Sequence, residues 1–66
     1  MNTSAGQHLI ALRINAAKSL LATTNLPVHV IAKRVGYSHP ESCFHAFRRY
    51  VGQTPLAFRR AAAPFA

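Results

Sequence analysis

A chain of 66 residues with half its residues apolar is one small domain or part of one, and burial of only about 60% of its unfolded surface leaves it marginal. Its formal net charge of +7 sets eight Lys and Arg against one acid, Glu41, which excludes catalysis by paired carboxylates and points to polyanionic partners. A single cysteine, Cys43, excludes an intramolecular disulfide and reads as a small buried apolar residue of a reducing compartment.

Met1 to Gly6 are small and polar, a composition that predicts fraying. A helix is predicted from about Gln7 to Thr23. Leu9, Leu12, Ala16, Ala17, Leu20 and Leu21, flanked by Ile10 and Ile14, cover far more than a narrow stripe of it. Arg13, Asn15, Lys18 and Ser19 make the polar remainder. A helix apolar over most of its circumference calls for neighbours on two sides, and this chain can supply one. The acid-free N-terminus superficially resembles a mitochondrial transit peptide, but a helix of the domain accounts for the segment better. The longest uncharged internal run, Ser19 to Ala32, contains Asn25 and Pro27 and falls short of the ~20 residues a bilayer requires, so no membrane partner is expected.

Thr23-Thr24-Asn25-Leu26-Pro27 breaks the first helix. Val28, Ile31, Ala32 and Val35 then form an i, i+3, i+4, i+7 stripe that stops at Gly36. Glycine there reads as a terminator, since it enters the left-handed region without a side-chain clash. Ser38-His39-Pro40-Glu41 predicts a capping box on Ser38 and Glu41 and a helix from about Ser38 to Val51. Helix, glycine turn and capped helix is a helix-turn-helix pattern. On the second helix Cys43, Phe47, Tyr50 and Val51 gather on one side, with Ala46 and Phe44 at its edges. Glu41, Ser42, His45, Arg48 and Arg49 fall on the other. Gly52 ends it, and Thr54-Pro55 predicts an N-cap threonine and first-turn proline for a short last helix. Leu56 and Phe58 of that helix are expected to close the core, Arg59 and Arg60 to extend beyond it, and residues 61–66 to form a weakly ordered tail.

A helix with an anchoring face and a cationic, hydrogen-bonding face suits the major groove of duplex DNA. An ordinary amphipathic helix with a solvated polar face is the plain alternative; the glycine turn and the charge imbalance favour the groove reading. The candidate DNA-binding residues are Pro40, Glu41, Ser42, His45, Arg48 and Arg49 on this helix, with Lys33, Arg34 and Arg59 outside it. Ser42, His45 and Arg49 form an i, i+3, i+7 stripe suited to base edges or phosphates. Arg48, Lys33, Arg34, Arg59 and Arg60 read as phosphate positioners or solvated charges. Glu41 reads first as a capping residue and secondarily as a cytosine contact. His39, Cys43 and His45 suggest a zinc site only weakly, since His45 stands ~160° around the helix from Cys43 and a fourth ligand is absent. Neither metal, cofactor nor enzymatic activity is expected, because Cys43 and the histidines have no orienting acid.

The pattern Arg13-Ile14-x-x-Ala17-x-x-Leu20-Leu21, then Ile31-Ala32-x-x-Val35-Gly36-Tyr37-Ser38, then Phe47-Arg48-Arg49-x-x-Gly52-x-Thr54-Pro55-x-x-Phe58-Arg59 resembles the AraC/XylS family of bacterial transcription regulators. The resemblance runs from about Leu9 to Arg60. It implies an all-α fold in which a linker helix (residues 7–24) precedes a tri-helical, homeodomain-like helix-turn-helix unit (residues 27–60). Members of that family carry two such units joined by the linker helix. Only the linker and the second unit are matched, which agrees with the over-apolar first helix and implies a half-domain: a truncated reading frame, a gene remnant or a minimal protein. The sequence departs from the family where an aromatic and an arginine usually stand four and two residues before Phe47. Here those positions hold Cys43 and His45, and Phe44 sits where a small polar residue is common. Either three substitutions or a local slip that keeps the Gly36-to-Phe47 spacing produces this.

The resemblance implies a DNA-binding transcriptional regulator, cytoplasmic and nucleoid-associated, with duplex DNA as partner and no small-molecule effector site in these residues. An interaction module is the alternative, in which the apolar side of the first helix dimerises, modulates an intact regulator, or receives a first helix-turn-helix unit. A cationic amphipathic helix acting at anionic membranes is a third reading.

Overall fold

In a computed structural model, the backbone is described for residues 2–62 and the side chains for residues 8–62. Helices α1 (Asn2–Thr23), α2 (Val28–Arg34), α3 (Pro40–Val51) and α4 (Pro55–Ala62) follow in order, with no strand among the described residues. The all-α expectation holds. α1 begins at Asn2 rather than Gln7; Met1, the side chains up to Gln7 and most of the expected tail lie outside the described residues.

The threonines at the end of α1 bond back to its carbonyls through their hydroxyls. Thr23 Oγ1 donates to the Ser19 carbonyl at 2.7 Å and Thr24 Oγ1 to the Leu20 carbonyl at 2.6 Å. These bonds add to the backbone ladder, since the Thr24 amide also donates to the Leu20 carbonyl at 3.0 Å, and Pro27 then fixes the entry into α2. α2 closes with paired reverse bonds: the Tyr37 amide donates to the Ala32 carbonyl at 2.9 Å and the Gly36 amide to the Lys33 carbonyl at 3.1 Å. This is a Schellman arrangement, and it places Gly36 at φ 110°.

α3 starts differently from the capping box expected at Ser38. Pro40 occupies the first helical position and forces the residue before it into extended backbone, so His39 (φ −126°, ψ 136°) is the N-cap and no side chain caps the helix. Ser38 is left outside, too early in the chain for the bond assigned to it. Gly52, at φ 89°, ends α3 with its amide donating to the Arg48 carbonyl at 2.9 Å. Thr54 behaves as expected: its Oγ1 accepts from the Ala57 amide at 3.1 Å.

α1 packs against α2, α3 and α4. The core joins Ile14, Ala17 and Leu21 of α1 to Ile31 and Ala32 of α2 and to Cys43 and Phe47 of α3, all buried. Phe47 is fully enclosed and meets Phe58 of α4 edge-on, with ring centroids 5.6 Å apart and planes at 72°. Truncating a ring buried this deeply costs about 3–5 kcal/mol, a large part of what holds so small a domain folded. Two core expectations fail. Leu56, the second residue of α4, faces outward, while Phe58 packs against the core and Pro55 is buried at the helix start. Tyr50 is exposed as well, although Val51 beside it packs against the core. α1 is covered on one side only: Leu9 and Leu12 remain 47% and 53% exposed.

Candidate nucleic-acid interface

The burial of Cys43 and Phe47 fixes how α3 is rotated. Glu41, Ser42, His45, Arg48 and Arg49 are all exposed on the face turned away from the core, and Pro40 is half-buried at the helix start. The Gly36 and Tyr37 amides close the end of α2 by backbone bonds, which sets the direction in which the chain leaves it toward α3.

Two open concavities flank this ridge. One, of about 650 Å³, lies toward α1 and includes Ile10, Arg49 and Tyr50. The other, of about 420 Å³, lies toward the start of α4 and includes Glu41, Phe44, Pro55 and Leu56. His45 and Arg48 border both. α3 is therefore a cationic ridge standing between two shallow troughs.

The basic pairs have a common position. Lys33 and Arg34 lie in the last turn of α2, Arg48 and Arg49 in the last turn of α3, and Arg59 and Arg60 in the last turn of α4. Cations there complement the negative end of the helix dipole, and the one acid, Glu41, sits in the first turn of α3, at the positive end. The pairs thus favour their helices as well as raising a positive field. Lys33, Arg34, Arg48, Arg49 and Arg60 are exposed and free to meet an anion.

Arg59 is not a cation extended into solvent. Its Nε donates to the Leu21 carbonyl at 3.2 Å, and its Nη2 donates to the carbonyls of Thr24 at 3.1 Å and Leu26 at 2.6 Å. The guanidinium closes the C-terminal end of α1 and ties the following loop to α4, satisfying carbonyls the helix cannot. Arg59, expected among the DNA-binding residues, is thus engaged with the fold through its Nε and Nη2.

Arg13 is the side chain whose place was hidden in the sequence. Assigned there to the polar remainder of the first helix, it lies over the Tyr37 ring, with its guanidinium carbon 5.2 Å from the ring centroid. It also fills the space beside Gly36, where an added Cβ would approach its Nε to 3.0 Å. Periodicity gives no sign of such a contact, which pins α1 to the helix-turn-helix turn.

Tyr37 Oη is buried and without a hydrogen-bond partner among the described residues. Burial raises its pKa, the neighbouring Cys43 adds to the rise, and Arg13 opposes it. Burial likewise pushes the Cys43 thiol up, so it is a poor nucleophile. Among the described residues no three His, Cys, Asp or Glu side chains converge to hold a metal ion, and no helix is long and apolar enough to cross a membrane.

Comparison with known proteins agrees with this geometry. The family model described as "Helix-turn-helix domain" matches residues 1–61. The raffinose operon transcriptional regulatory protein RafR of Pediococcus pentosaceus is 41% identical over 59 residues, 89% of this chain and 21% of that protein. The melibiose operon regulatory protein of Escherichia coli (strain K12) is 30% identical over 60 residues, 91% of this chain and 20% of that protein. Among solved structures, the DNA-binding domain of AdpA, a global transcriptional factor crystallised with a target DNA, superposes with a TM-score of 0.81 at 38% identity. That match covers 83% of this chain and 50% of the AdpA chain. The chain thus spans about a fifth of the length of these curated relatives and half of the solved domain.

Proposed function

The chain belongs to the AraC/XylS-type helix-turn-helix family, and from that premise we propose that it binds duplex DNA and acts in transcription regulation, with α3 in the major groove. One observation carries the reading: α3 turns Ser42, His45 and Arg49 outward from a core-anchored Cys43–Phe47 face, beside exposed Arg48, Lys33 and Arg34. A groove about 12 Å wide admits such a helix. The arginines and lysine neutralise phosphates and fix position, while the Ser42–His45–Arg49 stripe and Glu41 offer hydrogen bonds to base edges. Pro40 sets where the helix begins and so how closely its first turn approaches the strand. His45 is a weaker guanine reader than an arginine, which grips O6 and N7 together. Capture is mainly electrostatic, at about 10⁻⁴–10⁻⁶ M and strongly dependent on salt. A DNA-bound role puts the protein in the cytoplasm, on the nucleoid. No catalytic step is assigned to it.

The experiment is a duplex titration at two salt concentrations, with circular dichroism on the same samples. A folded protein whose affinity falls steeply with salt supports the reading. A folded protein that ignores duplex DNA, or whose binding is unmoved by salt, overturns it. The exposure of Leu9 and Leu12 favours a second reading, in which the bare side of α1 pairs with another copy or an intact family member. A sedimentation mass that stays monomeric with increasing concentration counts against self-pairing.

A further inference from the structure

Two large apolar side chains border the proposed reading face with no element of the described fold over them. Phe44, the fifth residue of α3, is 42% exposed, and Leu56, in the first turn of α4, is 53% exposed. Both line the trough of about 420 Å³ between these helices, together with Pro55. We infer that Phe44 and Leu56 form an apolar reader of the thymine C5-methyl group, giving the protein a preference for methylated pyrimidine edges in the major groove. The inference rests on the DNA-binding reading above and names part of its specificity.

Position comes first. The trough is continuous with the cationic ridge, because His45 and Arg48 line both it and the trough on the opposite flank. Phe44 precedes Arg48 by four residues, about one helical turn, so an arginine on a phosphate brings the ring to the groove beside it. It also lies in the N-terminal half of α3, the half that meets base edges when such a helix enters the groove.

Chemistry selects the occupant. The +7 charge of the chain favours a polyanion over other partners at this face. Within the trough Glu41 offsets Arg48, so the apolar lining of Phe44, Pro55 and Leu56, rather than a net positive charge, decides what fits there. The trough therefore suits a base edge, and thymine alone presents a methyl group on the major-groove edge, where cytosine presents an amino group. Glu41 is placed to accept from that amino group on a neighbouring pair.

The test compares two pools of random-sequence duplexes, one carrying thymine and the other deoxyuridine, which lacks only the methyl. The 66-residue protein is titrated with each at fixed salt. Burial of one methyl gives about a fourfold preference for the thymine pool. Phe44→Ser and Leu56→Ser each reduce that preference toward unity. Equal affinity of the folded, unaltered chain for the two pools overturns the methyl reader and leaves DNA binding standing; the trough then belongs to a protein partner. A preference that survives in both variants overturns it as well, by placing the discrimination elsewhere. Absence of binding to either pool removes the DNA reading and this inference together. The thymine–deoxyuridine comparison alters no protein residue, so it stands even where a variant fails to fold.

Discussion

Arg59 Nη2 donates to the Leu26 carbonyl at 2.6 Å across 33 residues of sequence. The same guanidinium reaches the carbonyls of Leu21 and Thr24, so one side chain joins α4 to the end of α1 and to the loop that follows. Arg59→Ala leaves these part-buried acceptors unpartnered and is expected to cost about 2–3 kcal/mol. In a domain of this size each kcal/mol lowers Tm by about 4–8 °C. Arg59→Lys rescues little, because an ammonium lacks the planar fork that reaches several carbonyls. Thermal melts by circular dichroism decide the matter: a melt unchanged in Arg59→Ala would return Arg59 to the solvent-facing cations.

Arg49 gives the opposite profile. It is exposed on α3 and no hydrogen bond ties it to another part of the described fold. Arg49→Ala is expected to keep stability within about 0.5 kcal/mol. On duplex DNA it should lower the slope of log affinity against log salt by about 0.9 for one lost phosphate contact. If Arg49 reads a base instead, affinity drops with an unchanged slope, and the drop differs between sequences. Salt titrations of wild type and variant separate the two.

Tyr37 carries a cost that substitution should relieve. Its hydroxyl is buried and unpartnered among the described residues, while its ring is held by Arg13. Tyr37→Phe keeps the ring and removes the group that lost its hydration. The variant is expected to be as stable as the parent, or more stable by about 1 kcal/mol. A destabilised Tyr37→Phe would show that the hydroxyl has a partner of its own.

What was legible in the sequence divides along the range of the interactions. The glycine turns at Gly36 and Gly52 and the Thr54 cap were legible because each is decided within a few residues. Cys43 and Phe47 were legible because apolar spacing identifies the face that must be buried. Tyr50 shares that spacing yet lies outside, and Leu56 was grouped with Phe58 although two residues, about 200° around a helix, separate them. Ser38 was misread for a local reason: Pro40 extends His39 and moves the helix start past the apparent capping box. Arg59 and Arg13 were illegible in a stronger sense. Their partners lie far along the chain, and a cation bound to carbonyls or to a ring has the same letter as one in solvent.

Alkaline pH should destabilise the fold through Cys43. Burial raises its pKa above the ordinary value of 9.0, so the unfolded chain releases the thiol proton first. Over the interval between the two values the folded state keeps a proton that the unfolded state has lost. Stability is therefore full below the unfolded value and declines as pH rises through that interval. Tyr37, raised from 10.0 chiefly by its own burial, extends the decline upward. Cys43→Ala should flatten the lower part of the profile in melts taken from about pH 7 to pH 10. A profile identical in the two proteins would mean that the thiol titrates alike folded and unfolded.

Gly36 and Gly52 provide an internal comparison for the contact between Arg13 and the turn. Both have positive φ, 110° and 89°, so an alanine is strained at either site. Only Gly36 is also crowded: a Cβ there would stand 3.0 Å from Arg13 Nε, whereas at Gly52 nothing lies within 4 Å. Backbone strain alone costs about 1–2 kcal/mol, the value expected for Gly52→Ala. Gly36→Ala adds the displacement of a guanidinium stacked on Tyr37 and should cost about 1 kcal/mol more. Placing both substitutions in an Arg13→Ala background isolates that excess. If Arg13 is what the new methyl meets, the two glycine variants become equal there to within about 0.5 kcal/mol. If Gly36→Ala stays the more damaging, the difference lies in the backbone of the α2–α3 turn, and Arg13 is not what holds α1 to it.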